Sequence, residues 1–427
     1  MRTPFHSPGP PWSRRRWLQA SSAATTLAGL GCASALAQLR VEITGVGATQ
    51  IPVALAPFRD EAATGVALSA VIRANLERSG AFRVIAVPPG LDERSVPDLP
   101  AFRGQGADAL VAGSATRLAD GSVDVRVRLW DAVRGAELAG QSSVVLPADL
   151  RLAAHRLSDL IHEKLTGQRG VFATRIAYVL RTGRRFTLHV TDPDGEGGQV
   201  ALASPEPLIS PAWSPDGRRL AYTGYQSGYA DVYEIDLGSG SRRRIMKYPG
   251  TNSGAAYSPD GGRFAVTLSK DGNPELYVTD SGGGSPRRLT MTSGVESSPT
   301  WSPDGREIIY SSDSGGSPML YRISSSGGSP SQIRTGHSYN TEPNWSPDGR
   351  KVAFNVRGGG SFNVAVIEFP SGQVRLLGEG QSPAWGPDSR HVVYGQGGSL
   401  VVLDIVTLQR ITIASNLGRI SEPSWSR

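Results

Sequence analysis

The sequence predicts an α/β N-terminal domain followed by an all-β propeller of six blades, and three observations carry that prediction. A Trp-Ser-Pro-Asp-Gly motif recurs through the second half at a near-constant step. Each clear copy is followed by short β-rich runs and Gly/Ser-rich turns. Residues before about 168 lack the repeat and alternate strand-like with helix-like segments. Among 427 residues, 52 Gly and 30 Pro are too few for collagen or a wholly disordered chain, and 39% hydrophobic residues suit a globular protein. A single Cys excludes disulfide scaffolds and Cys-based metal or Fe–S sites.

Residues 1–37 read as a leader. Met1–Arg16 hold four Arg and no acid, and Trp17–Ala37 is a mild apolar run ending Ala35-Leu36-Ala37. A basic start, an apolar stretch and an A-x-A site make a secretory signal with cleavage between Ala37 and Gln38. The run is too polar for a membrane span. Ser13-Arg14-Arg15-Arg16-Trp17-Leu18-Gln19 resembles a twin-arginine export motif, with Trp for Phe and Gln for Lys. Leu30-Gly31-Cys32 resembles a lipoprotein box only loosely. Cleavage lowers 44 basic residues to 40 against 38 acids, so the net charge falls from +6 to near +2. That leaves no electrostatic footprint for nucleic acid. It also removes the one thiol, which suits an oxidising compartment such as the periplasm.

In the N-terminal domain, Ile51–Ala56 reads as a strand. Val66, Ser69, Ile72, Arg73 and Leu76 mark an amphipathic helix ended by Gly80. Phe82–Val87 and Ala109–Gly113 are further strands, and Val123, Val125, Val127 and Leu129 alternate with charged residues as a one-sided strand. A closing helix follows over Leu152–Leu165, with Leu157, Leu160, Ile161 and Leu165 inward and His155 and His162 on partly exposed surface. Gly104-Gln105-Gly106 is a turn, not a nucleotide fingerprint.

From 169 to 427 the motif runs as Pro211-Ala212-Trp213-Ser214-Pro215-Asp216-Gly217, and recurs around Trp301 and Trp345. Weaker copies lie at Tyr257, Trp385 and Trp425, so the aromatic steps are 44, 44, 44, 40 and 40. Ser-Pro-Asp-Gly is turn chemistry: Pro sets φ, and Asp and Gly tolerate the rest. Strand runs such as Leu220-Ala221-Tyr222 and Val232–Asp236 follow, making four short strands per repeat, which is a propeller blade. Arg175–Val179 looks like a second strand with no motif before it, whereas Trp425 opens a blade that is not continued. Residues 422–427 are therefore expected to supply the innermost strand of the blade that starts near Thr174, closing a ring of six. The Trp and Asp residues of the motif read as packing and turn residues. Asp192-Pro193-Asp194-Gly195-Glu196 reads as a hairpin turn rather than a calcium loop.

The leader, the start Gln38-Leu39-Arg40-Val41-Glu42-Ile43, the α/β domain and the six motif copies together resemble the TolB family, periplasmic components of the Tol–Pal envelope system. The resemblance implies a non-catalytic interaction protein that supports outer-membrane integrity and constriction during division. It implies binding of the lipoprotein Pal at the propeller mouth and of TolA through a movable N-terminal arm, carried over to Gln38, Leu39, Arg40, Val41, Glu42 and Ile43. Other outer-membrane lipoproteins or porins are further partners of this class. The Pal-facing rim is expected in the loops entering the innermost strands: Thr251, Asn252, Ser253 and Gly254; Glu296, Ser297 and Ser298; Asn340, Thr341 and Glu342; Ser421 and Glu422.

Two rival readings stay open at this point. A propeller-gated peptidase would need G-x-S-x-G, and zinc hydrolysis H-E-x-x-H; neither occurs, since His162-Glu163-Lys164-Leu165-Thr166 lacks the second His. A hydrolase or lyase site in the channel needs no linear motif. A glycan-binding propeller would show exposed aromatics at the mouth, where Tyr225, Tyr229 and Tyr339 are the few candidates. The sequence assigns no catalytic, cofactor or metal residue.

Overall fold

A computed structural model describes residues 50–426. The leader with its Ala37/Gln38 cleavage site, and the segment from Gln38 to Thr49 expected to meet TolA, lie outside the described residues.

The N-terminal domain is built on β1 (Ile51–Leu55), α1 (Leu68–Arg78), β2 (Phe82–Ala86), α2 (Leu99–Gly104), β3 (Ala109–Arg117), β4 (Val123–Asp131), β5 (Ala136–Val145) and α3 (Leu150–Thr166). The sheet order is β2-β1-β3-β4-β5, with β1 parallel to β2 and β3 and the rest antiparallel. Alternation along β4 sends Val123, Val125, Val127 and Leu129 to one core, where they meet Leu68, Ile72 and Leu76 of α1 and Leu157 and Ile161 of α3. Trp130 faces the opposite side with Leu110, Ala112 and Leu99 of α2. The helix α2, capped by Asp98 accepting from the Ala101 amide at 3.1 Å, and the edge strand β5 have no counterpart in the sequence reading. Both are short of periodic signal: α2 has six residues, and β5 (AELAGQSSVV) is largely exposed. His155 corrects the expectation of partial exposure: it is 1% exposed and sits under the propeller, while His162 is half-buried.

Six four-stranded antiparallel sheets follow. Blade 1 contains β6 (Ile176–Thr182), β7 (Arg185–Thr191) and β8 (Gln199–Ser204), and its innermost strand is the C-terminal segment Arg419–Trp425. The closing strand thus begins three residues earlier than expected, and its pairing runs from Arg419↔Arg181 to Trp425↔Ile176. The seam is pinned further by the Ser426 amide donating to the Arg175 carbonyl (2.8 Å), the Arg175 amide donating to Ser426 Oγ (2.8 Å) and the Trp425 indole donating to Thr174 Oγ1 (2.8 Å).

The repeated aromatics hold blades together. Tyr222, Phe264, Tyr310, Phe354 and Tyr394, one on the second strand of each of blades 2 to 6, are at most 1% exposed. The indoles of Trp213, Trp301 and Trp385 each donate at 3.0 Å to a carbonyl of the preceding innermost strand: Ser424, Ala256 and Asn344. In the turns, Asp216 Oδ1 accepts from Ser214 Oγ and the Arg218 amide, and Asp260 and Asp304 repeat the pattern. The Ser hydroxyl and the backbone N–H hold these three carboxyls below the usual range. Such bonds account for Ser and Asp in the motif without any ligand.

Candidate partner-binding surface at the propeller mouth

Every innermost strand starts at one end of the ring and runs to the other, where the Ser-Pro-Asp-Gly turns lie. The N-terminal domain packs at the turn end, because α1 and α3 meet the β7–β8 turn there. Among the described residues, nothing from the N-terminal domain covers the opposite end, the mouth.

At the mouth each innermost strand breaks register with its neighbour, a bulge of two residues against one. The bulged residue is Ser210, Gly254, Ser298, Glu342, Ser382 or Glu422, and all six have φ between 50° and 63°. Five are followed by Pro, which has no N–H to give the ladder. Left-handed backbone at a non-Gly residue costs about 1 kcal/mol, so five such residues in one ring are held by their surroundings. The Ser210 amide donates to Glu422 Oε2 at 2.5 Å. The Gly254 amide donates to Thr223 Oγ1 at 3.2 Å. Asn355 joins two ring positions, donating to Glu342 Oε2 (2.5 Å) and accepting from the Ser382 amide (3.2 Å).

These six positions, with the residues that follow them, line an open channel of about 200 Å³. Two of its groups are carboxylates. Burial, reinforced by the nearby charge of Glu342, pushes Glu422 up to about 7, although the Ser210 N–H works the other way. Around the channel, the mouth-side loops expose Tyr229 (71%), Met291 (81%), Val295 and Leu417. Among the described residues lining the channel there is no His, Cys or Lys.

The structure sorts the rim residues expected from sequence. Gly254, Ser298, Glu342 and Glu422 fall in the bulge ring. Thr251, Ser253, Ser297, Thr341 and Ser421 are half-buried at or near the mouth. Asn252, Glu296 and Asn340 are corrected as contact residues: each is 0% exposed. Their side chains tie down the entering loops instead. Asn252 donates to the carbonyls of Ala230 and Tyr248, Glu296 accepts from Thr292 and Ser312, and Asn340 accepts from Thr335. Sequence reasoning passed over Ser210 and Ser382, although each precedes Pro as Glu342 does, and the repeat step alone would have found them. Met291 and Val295 had no such signal.

The sequence model of the TolB beta propeller domain matches residues 162–427, and that of the TolB amino-terminal domain matches residues 39–138. The chain is similar to the Tol-Pal system protein TolB of Polaromonas naphthalenivorans (strain CJ2), 54% identical over 221 residues that cover 52% of each chain. It is similar to that of Bordetella pertussis (strain Tohama I), 50% identical over 220 residues covering 51% of this chain and 50% of the relative. The chain spans about half the length of the curated relatives it matches. Its fold is similar to the crystal structure of TolB from Acinetobacter baumannii, with a TM-score of 0.79 and 31% identity, covering 91% of this chain and all of that one.

Proposed function

The chain belongs to the TolB family, and on that premise we propose that it is a non-catalytic periplasmic interaction protein of the Tol–Pal envelope system. It holds Pal at the propeller mouth and engages TolA through residues 38–43, supporting outer-membrane integrity and constriction during division. The observation that carries this reading is the mouth itself: a strained, acid-bearing bulge ring surrounded by exposed Tyr229, Met291 and Val295, on the end that the N-terminal domain leaves open. The two partners would be served at opposite ends. Gln50, where the described residues begin, donates its side-chain amide to the Gly80 carbonyl (3.3 Å), and Gly80 lies beside Gln409 of the turn end.

Calorimetric titration of residues 38–427 with the soluble domain of the cognate Pal tests the first half. Binding that a Thr341→Ala/Glu342→Gln double substitution removes, with the fold intact, supports the mouth. No binding at tens of micromolar overturns the assignment and returns weight to a glycan-binding or catalytic channel. Removing residues 38–49 tests the second half: TolA binding should fall while the melt is unchanged.

A further inference from the structure

The β7–β8 turn carries more charge than a hairpin needs. Asp194 is 4% exposed and Asp192 18%, and both point into the N-terminal domain. From α3, Arg151 places one terminal nitrogen on Asp194 Oδ2 and its Nε 3.4 Å from Asp192 Oδ2. From α1, Arg78 comes within 3.9 Å of Asp194 Oδ2, and burial lowers the pKa of its guanidinium.

His155 completes the cluster. Its Nδ1 lies 2.8 Å from the amide nitrogen of Asn75, which also donates to Ser158 Oγ at 2.9 Å. With Nδ1 accepting, the neutral ring carries its proton on Nε2. That atom is buried, has no hydrogen bond, and faces Asp192 Oδ2 at 3.3 Å and Asp194 Oδ2 at 3.9 Å. The turn cannot shift to relax these contacts. Asp194 Oδ1 accepts from the Glu196 amide at 3.0 Å, and Gly195, at φ +86°, packs so that a Cβ would sit 2.0 Å from the Ile413 carbonyl.

We propose that the Asp192–Asp194 turn is an electrostatic lock between the two domains, closed by Arg151 and Arg78 and oriented by His155 on its Asn75 mount. Two carboxylates meet two guanidiniums across the junction, so the cluster is balanced only while the domains are docked. Removing one partner leaves a buried charge unpaired in the docked state, which is costly, so the cluster favours docking only as a complete set. A His and two Asp could also gather a divalent cation. Here the two guanidiniums already supply the positive charge the carboxylates require.

The test uses the full mature chain and needs no partner protein, so its outcome is separate from that of the proposed function. Asp194→Asn is compared with wild type by limited trypsinolysis and small-angle scattering. The interdomain segment holds Arg169 (exposed) and Arg175 as cleavage points. The lock predicts at least tenfold faster cleavage there, a larger radius of gyration and two separated melts, with the far-ultraviolet spectrum retained. Arg151→Met, which leaves the propeller sequence untouched, should reproduce this, and it decides the matter if Asp194→Asn does not fold. A folded Arg151→Met variant with unchanged linker cleavage and one melt overturns the lock. So does a rise in melting temperature with Zn²⁺ or Mn²⁺ that His155→Gln abolishes, since that would make the cluster a metal site.

Discussion

Glu422→Gln should flatten part of the protein's pH–stability curve. In the folded chain Glu422 sits half-buried at a left-handed position of the bulge ring, and burial together with Glu342 raises it from 4.5 to about 7. The folded state therefore binds this proton more tightly than the unfolded state. Its stabilising contribution is complete below about 4.5 and is lost as the pH rises through about 7. The interval corresponds to about 3 kcal/mol at most, and to about 1 kcal/mol if water in the open channel screens most of it. For a propeller of this size that is a fall in melting temperature of about 3–10 °C between pH 5 and pH 8. The assay is differential scanning calorimetry of wild type and Glu422→Gln across that range. Taking the difference between the two curves cancels every other titrating group. The variant should match wild type at pH 5 and exceed it at pH 8, and Glu342→Gln should shift the midpoint of the wild-type loss downward. A difference curve flat with pH would refute the argument.

Trp425→Ala should cost about 3–5 kcal/mol, because the indole is 6% exposed and bridges the ring seam to Thr174. A calorimetric shift below about 3 °C would contradict that role. Removing residues 419–427 should abolish the cooperative propeller transition altogether; a normal melt would sink the end-to-end closure. Gly195→Ala should destabilise by about 3 kcal/mol or more, as its new methyl meets the Ile413 carbonyl. Gly254→Ser should cost only about 1 kcal/mol, since the nearest atom to a Cβ there is 3.7 Å away and five equivalent positions already carry side chains. Equal denaturation midpoints for the two glycine variants would show that ring strain, not contact, decides the cost.

The propeller was legible because its constraints repeat. A turn that needs Pro, Asp and Gly, and an aromatic that must fill the gap to the next blade, mark each repeat in the chain, and Trp425 without a blade of its own pointed to β6 as its partner. The site was legible only in part. Asn252, Glu296 and Asn340 stood at the right distance from each motif, but distance along the chain does not separate a side chain that faces solvent from one that bonds its own loop. His155 shows the same limit from the other side. Its burial comes from a turn that follows it by 37 positions and belongs to another domain, and no helical periodicity registers that contact.

Closing the ring with the last strand also sets a timetable. The bond between the Arg175 amide and Ser426 Oγ joins groups 251 residues apart, and β6 waits for its inner neighbour until nearly all of the chain is present. Blades 2 to 6 can each form from contiguous residues, but the first blade gains its inner edge only after that long loop closes, an entropic barrier that local contacts cannot lower. Until residues 419–425 are in place the β6 edge stays unpaired, and that interval is when a chaperone, or a strand from another copy, would find it.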